Sequence, residues 1–174
     1  MRESRRRSRR AFAAAGTAVF LVLVPGVVAG LIPWALTSWR MEDAPLAVRV
    51  AGGALVIAGA ALLVHAFARF VIEGIGTPAP VAPTERLVVG GVYRYVRNPM
   101  YLAVGATICG QAMLLGQWSL LAYAALFFAI VATFVVTYEE PTLERQFGSD
   151  YDAYRRAVPG WLPRLHPWRG ERLS

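Results

Sequence analysis

The chain has no lysine, one cysteine and two histidines. A single cysteine, Cys109, rules out a disulfide within the chain. Its place in an apolar run marks it as a small packing residue rather than a nucleophile. His65 and His166 are too few and too distant in sequence to outline a metal site. No CxxC, HExxH, P-loop or strand-borne GxGxxG occurs, so the common redox, zinc-hydrolase and nucleotide-phosphate signatures are missing. Charge is scarce as well: 17% of residues are charged and 56% hydrophobic, with mean hydropathy +0.45. A soluble domain carries about 25% charged residues, and the apolar excess here belongs in lipid.

The basic charge is all arginine, and it is unevenly placed. Net charge is +7, and Arg2, Arg5, Arg6, Arg7, Arg9 and Arg10 crowd the first ten residues. Most other arginines flank apolar runs, which is the pattern of membrane orientation and not of a nucleic-acid-reading face. Four apolar runs are predicted as helices, at about 11–36, 46–72, 100–116 and 120–138. At about 1.5 Å per residue each reaches or approaches the ~30 Å hydrocarbon core. The first follows a basic stretch, as in a signal peptide, but it exceeds a typical h-region and three further runs follow, so a retained helix is expected. Four spans place both termini on one side, together with Arg86, Arg94, Arg97 and six C-terminal arginines. The positive-inside rule makes that side cytoplasmic. The reading is an all-α, multi-pass protein of a bacterial plasma membrane, with a basic cytoplasmic N-terminus (1–10) and one membrane domain (11–174).

Within the runs, Pro25-Gly26 predicts a kink, and Gly52, Gly53 and Gly59 are small enough for close helix packing. His65 and Arg69 share one helix face; a satisfied buried imidazole and a snorkelling guanidinium are expected there. The stretch from Gly74 to Gly91 has three prolines in six residues and is a loop at the interface or lining a cavity. Pro99 fits the first position of a helix with Asn98 as its N-cap. Gln117-Trp118-Ser119 connects the third and fourth runs as a hairpin, and Glu144 to Arg156 is predicted as an amphipathic interfacial helix.

Two polar motifs stand at ends of apolar runs on the same side. One is Gly91-Val92-Tyr93-Arg94-Tyr95-Val96-Arg97-Asn98-Pro99-Met100-Tyr101, the other Glu139-Glu140. Charged groups there are costly and mark a site. Arg97 and Arg94 can fork onto a carboxylate, and Glu139 and Glu140 can pair with an amine or offset a sulfonium. Tyr93, Tyr95, Tyr101 and Tyr138 offer stacking surfaces. Backbone amides near Gly90, Gly91 and the Asn98-Pro99 helix start can receive anionic or adenine groups. Each element also has a plain reading as an anchor, a helix end or an aromatic belt.

The first motif resembles the G-P-Y-x-x-V-R-H-P-x-Y pattern of the isoprenylcysteine carboxyl methyltransferase family, related to the membrane phospholipid methyltransferases. Tyr138-Glu139-Glu140-Pro141-x-Leu143, Phe147-Gly148-x-x-Tyr151-x-x-Tyr154 and Val158-Pro159 resemble that family's second motif. The resemblance covers about residues 74–163. It implies an integral membrane methyltransferase that binds S-adenosylmethionine in a cytoplasmic pocket and takes a lipophilic acceptor from the bilayer. By position, Leu87, Val88, Tyr93, Arg97, Asn98, Pro99 and Tyr101 would line the cofactor site and Glu139 and Glu140 would close it. Arg97 and Glu140 are the candidate catalytic pair. Asn98 stands where the family has histidine, and Val92 where it has proline, so no titrating group is available at position 98. The alternatives in view are a phospholipid N-methyltransferase, an NADPH-dependent reductase of the sterol-reductase type, and a catalytically silent membrane scaffold.

Overall fold

The computed structural model of the chain describes residues 23–74 and 86–170. The basic N-terminus, the first part of the first apolar run and the Gly/Pro-rich stretch 75–85 lie outside them. Among the described residues all regular structure is helical and there is no strand. Helix α1 is Leu23–Thr37, α2 is Leu46–Gly74, α3 is Pro99–Leu115 and α4 is Ser119–Phe134. Two short helices follow, α5 (Glu140–Phe147) and α6 (Ser149–Ala157). A single 3-10 turn covers Gly91–Arg94.

Among the described residues, two helices are long and apolar enough to cross a membrane: α2, and the continuous helix Ser119–Phe147 that joins α4 to α5. The described part of α1 and the whole of α3 are apolar but shorter. The fourth helix was expected to stop at Tyr138. It continues, because a π-turn at Val135–Glu139 absorbs the proline that follows. In that turn the Glu140 N–H donates to Val135 O, one residue farther back than an α-helix allows.

The expected small-residue packing joins α2 to α3. A Cβ on Gly52 would lie 2.4 Å from Leu114 N, and one on Gly59 2.8 Å from Ala103 O. Gly110 answers from α3, where a Cβ would stand 2.8 Å from Gly52 O. Backbones can approach this closely only where side chains are absent. Gly53 points elsewhere, its nearest neighbour being a Leu114 methyl at 3.8 Å. The buried core is Val104, Ile108 and Ala112 of α3 with Leu120 and Ala124 of α4. Helix α1 is tied on by side chains that reach carbonyls of its π-turn (Val27–Leu31): Gln111 Nε2 donates to Ala29 O at 2.6 Å, and Tyr123 OH to Val28 O at 2.8 Å.

The hairpin of α3 and α4 turns at Gly116, whose φ of +71° is the left-handed conformation glycine adopts freely. On the outside, Val50, Ile57 and Val64 repeat along one face of α2 and are all more than 60% exposed. Leu126 and Ile130, each 58% exposed, share an outer face of α4. An apolar outer surface of that extent needs a non-aqueous partner. The amphipathic helix expected at Glu144 to Arg156 is broken in two. Gly148 sits at φ +52°, ψ −125°, a conformation closed to side-chain-bearing residues, and it swings α6 away from α5.

Candidate active site

The end of the bundle that holds the start of α3 and the close of α4 also carries the segments 86–98 and 151–168. Arg97 is fixed before any ligand is considered. Its backbone N–H donates to Pro159 O at 2.9 Å and its Nε to Val158 O at 2.9 Å. Its Nη1 then donates to Glu140 Oε1 at 2.7 Å and to Tyr151 OH at 2.9 Å. Both members of the Arg97–Glu140 pair are nearly buried, with side chains 13% and 12% exposed. A charge-assisted pair in that setting is short and directional. The other oxygen of Glu140 meets Arg155 Nη2 at 3.2 Å, and Arg155 also bridges to Glu144.

The neighbouring carboxylate has a different partner. Tyr101 OH, one turn into α3, donates to Glu139 Oε2 at 3.0 Å. Tyr93 is buried against Ala66 and Val88, and its carbonyl accepts from Tyr154 OH at 2.7 Å. Burial, with Tyr154, Glu139, Tyr101 and Glu73 nearby, holds the Tyr93 phenol well above its ordinary range. Burial likewise pushes Tyr151 up to about 12, against the pull of Arg97. Leu87 packs with the Tyr151, Tyr154 and Val158 cluster. Asn98 and Pro99 are buried at the start of α3.

Some groups expected to meet a ligand are already engaged. The Gly90 N–H donates to Glu73 Oε2 at 2.8 Å, and the Asn98 N–H to Gly160 O at 3.2 Å. Arg94 does not join Arg97 in a fork; its Nε donates to Trp168 O at 2.6 Å. His65 is exposed rather than buried, and Arg69 pairs with Glu73 at 3.3 Å.

What remains unsatisfied lies where Arg97, Asn98 and Gly160 meet. Asn98 makes no side-chain cap bond, and its Nδ2 is buried without a partner. A Cβ added at Gly160 would lie 3.3 Å from Arg97 Nη2 and 3.4 Å from Asn98 Nδ2, so Gly160 packs closely against both donors and a side chain there would crowd them. A buried donor left unsatisfied costs about 1–3 kcal/mol, and a ligand oxygen would remove that cost. Two donors complement a carboxylate, and Glu139, held by Tyr101, complements a cationic group.

Sequence reasoning passed over Glu73, Arg155, Trp161 and Trp168. Trp161 stands 6.3 Å from the ring centres of both Tyr101 and Phe128. Only an aromatic residue beside Gly160 signalled it.

Compared with known proteins, residues 47–150 match the phospholipid methyltransferase family, and the chain belongs to that family. It is 36% identical over 78 residues to the protein-S-isoprenylcysteine O-methyltransferase of Schizosaccharomyces pombe, a match covering 44% of this chain and 33% of that protein. It is 34% identical over 88 residues to the nickel-cobalt-cadmium resistance protein NccN of Alcaligenes xylosoxydans xylosoxydans, covering 51% of this chain and 41% of that protein. The matched stretch is thus less than half the length of each of these relatives. No solved structure matches the chain.

Proposed function

We propose that this protein is a four-span integral membrane enzyme that transfers a methyl group from S-adenosylmethionine to a lipophilic acceptor. The observation that carries the reading is the Arg97–Glu140 pair at 2.7 Å, set beside the unsatisfied Asn98 amide. Both termini and the site face the cytoplasm in this reading, following the arginine distribution.

When bound, S-adenosylmethionine supplies an electrophilic methyl on a sulfonium. The chain's own residues bind and orient. Arg97 Nη2 and Asn98 Nδ2 take a carboxylate; Glu139, anchored by Tyr101, offsets positive charge; Tyr93 and Tyr101 wall the space. Glu140 holds the Arg97 fork in place. Charge is lost as the methyl moves, so catalysis rests on alignment and exclusion of water. Both oxygens of Glu140 are engaged by guanidinium groups, so it holds Arg97 and Arg155 and is not free to meet an acceptor. Asn98 cannot titrate. That combination favours an acceptor already anionic: a carboxylate, as in O-methylation resembling the isoprenylcysteine enzymes, or a thiolate, which would be S-methylated. The family match favours a second reading, methylation of a phospholipid amine, in which Glu139 would take the proton.

The test is calorimetry on detergent-purified protein with S-adenosylhomocysteine, and NADPH as comparison. Saturable S-adenosylhomocysteine binding that disappears in Arg97→Ala is expected. Binding of NADPH alone would move the assignment to a reductase, and binding of neither to a silent scaffold.

A further inference from the structure

We propose that the loop at 161–166 is a second membrane contact, an interfacial anchor that inserts Leu162 and Leu165 into the surface of an anionic bilayer. The inference rests on the membrane placement in the reading above and not on its chemistry.

Leu162 and Leu165 are 79% and 91% exposed, the two most exposed large hydrophobic side chains among the described residues. They do not sit on a loose end. The segment that bears them is fastened on both sides: Pro159 O and Gly160 O accept from the backbone of Arg97 and Asn98 at 2.9 and 3.2 Å. Beyond the leucines, Arg164 N donates to Tyr95 O at 3.0 Å and Trp168 N to Arg94 O at 2.9 Å. Arg164 Nη1 closes the loop onto Ala157 O at 2.7 Å. The two leucines are therefore displayed by a fixed support, although a fixed apolar side chain in water gains nothing.

Position says what covers them. Trp161 packs between Tyr101 of α3 and Phe128 of α4, so the chain reaches the flank of the apolar helices just before Leu162. Leucine beside a tryptophan at the end of such helices sits at the level of lipid headgroups. Charge agrees: from Ala153 to Gly170 there are four arginines, Arg155, Arg156, Arg164 and Arg169, and no carboxylate. Of these, Arg155, Arg156 and Arg169 are exposed, the first two before the leucines in sequence and the last after them. Basic groups flanking a small apolar tip suit anionic lipid. Two leucines are too little surface for a stable protein interface.

The experiment uses the full chain in bilayers, in a Cys109→Ala background, with a nitroxide on Leu165→Cys. A second nitroxide, on Ile57→Cys in the exposed apolar face of α2, serves as the control for membrane placement. Collision with oxygen and with a water-soluble nickel chelate is compared in bilayers containing phosphatidylglycerol and in pure phosphatidylcholine. Expected is severalfold stronger oxygen than nickel collision at position 165 in the anionic bilayer, and a shallower position in the neutral one. Nickel dominance at 165 with oxygen dominance at 57 overturns the anchor while leaving the membrane placement standing. Nickel dominance at 57 overturns the placement and the anchor together. Equal depth at 165 in both bilayers overturns the anionic partner.

Discussion

Glu140→Ala is the sharpest perturbation of the site. It removes the carboxylate that meets Arg97 at 2.7 Å, in a pair whose side chains are 13% and 12% exposed. Stripping one partner from a buried pair costs about 3–5 kcal/mol, because the remaining charge is left uncompensated. Arg97 keeps Tyr151 OH at 2.9 Å and Val158 O at 2.9 Å, so the lower end, about 3 kcal/mol, applies here. Glu140→Gln retains an acceptor and should lose about 1–1.5 kcal/mol. Arg155→Ala touches the same carboxylate from a side chain that is 43% exposed. A pair open to water to that extent contributes about 0–1 kcal/mol. Detergent-micelle unfolding by titrated sodium dodecyl sulfate, followed by tryptophan fluorescence, ranks the three. In Arg97→Ala/Glu140→Ala both charges are gone, so the double variant should cost less than the sum of the singles. The reasoning is refuted if Glu140→Ala costs no more than Arg155→Ala, or if the two buried substitutions are additive.

Gly52→Ala places a Cβ 2.4 Å from Leu114 N and should cost about 1–3 kcal/mol in the same unfolding assay, whereas Gly53→Ala meets only a methyl at 3.8 Å and should be neutral. Gly90 has an ordinary extended backbone, φ −88° and ψ 169°, so its need for glycine comes from Glu73 alone, whose Oε1 a Cβ would meet at 1.9 Å. Gly90→Ala should therefore push that carboxyl off the Gly90 N–H, costing about 0.5–1.5 kcal/mol in the unfolding assay, and have no further effect in Glu73→Ala. Tyr151 is raised from 10.0 to about 12, so its contribution to stability is complete below pH 10 and fades as pH climbs towards 12. Denaturation midpoints between pH 9 and 12 should fall less steeply in Tyr151→Phe than in wild type.

The helices were legible because each apolar run is bounded by charge or proline: Arg40 to Pro45 before α2, Asn98-Pro99 at the start of α3, Gln117-Trp118 between α3 and α4. The glycines of α2 were legible as packing residues, but not which of them face α3, since that depends on the crossing geometry of two helices with no strong apolar face. The break at Gly148 and the continuation through Pro141 both went against local rules, which allow a glycine inside an amphipathic pattern and stop a helix at proline. Within the site, the two motifs could be picked out as polar groups at helix ends. Which oxygen meets which nitrogen could not. The Gly90 amide looked free because its partner, Glu73, lies 17 residues away at the far end of a mainly apolar helix. The arginine that binds backbone, Arg94, and the one that binds carboxylate, Arg97, are indistinguishable by spacing; only the path of residues 158–168 separates them.

The π-turn before Glu140 explains how two adjacent glutamates serve two partners. It accommodates Pro141, which has no N–H to donate, and Thr142 Oγ1 donates to Tyr138 O at 2.6 Å. Converting the turn to α-helix would remove one residue from the winding and rotate everything after it by about 100°. Glu139 and Glu140 would then swing off Tyr101 and Arg97. Pro141→Ala permits that conversion, and the α form gains one regular hydrogen bond, about 1 kcal/mol. It would forfeit the Arg97–Glu140 pair, about 3 kcal/mol by the reasoning above, and the Tyr101–Glu139 bond besides. The side-chain contacts should win. Pro141→Ala alone should then bind S-adenosylhomocysteine like wild type, while in a Glu140→Ala background the same substitution should raise stability, because nothing then holds the wider turn. Loss of binding in Pro141→Ala alone would show instead that the proline, and not the ion pair, sets the register of the site.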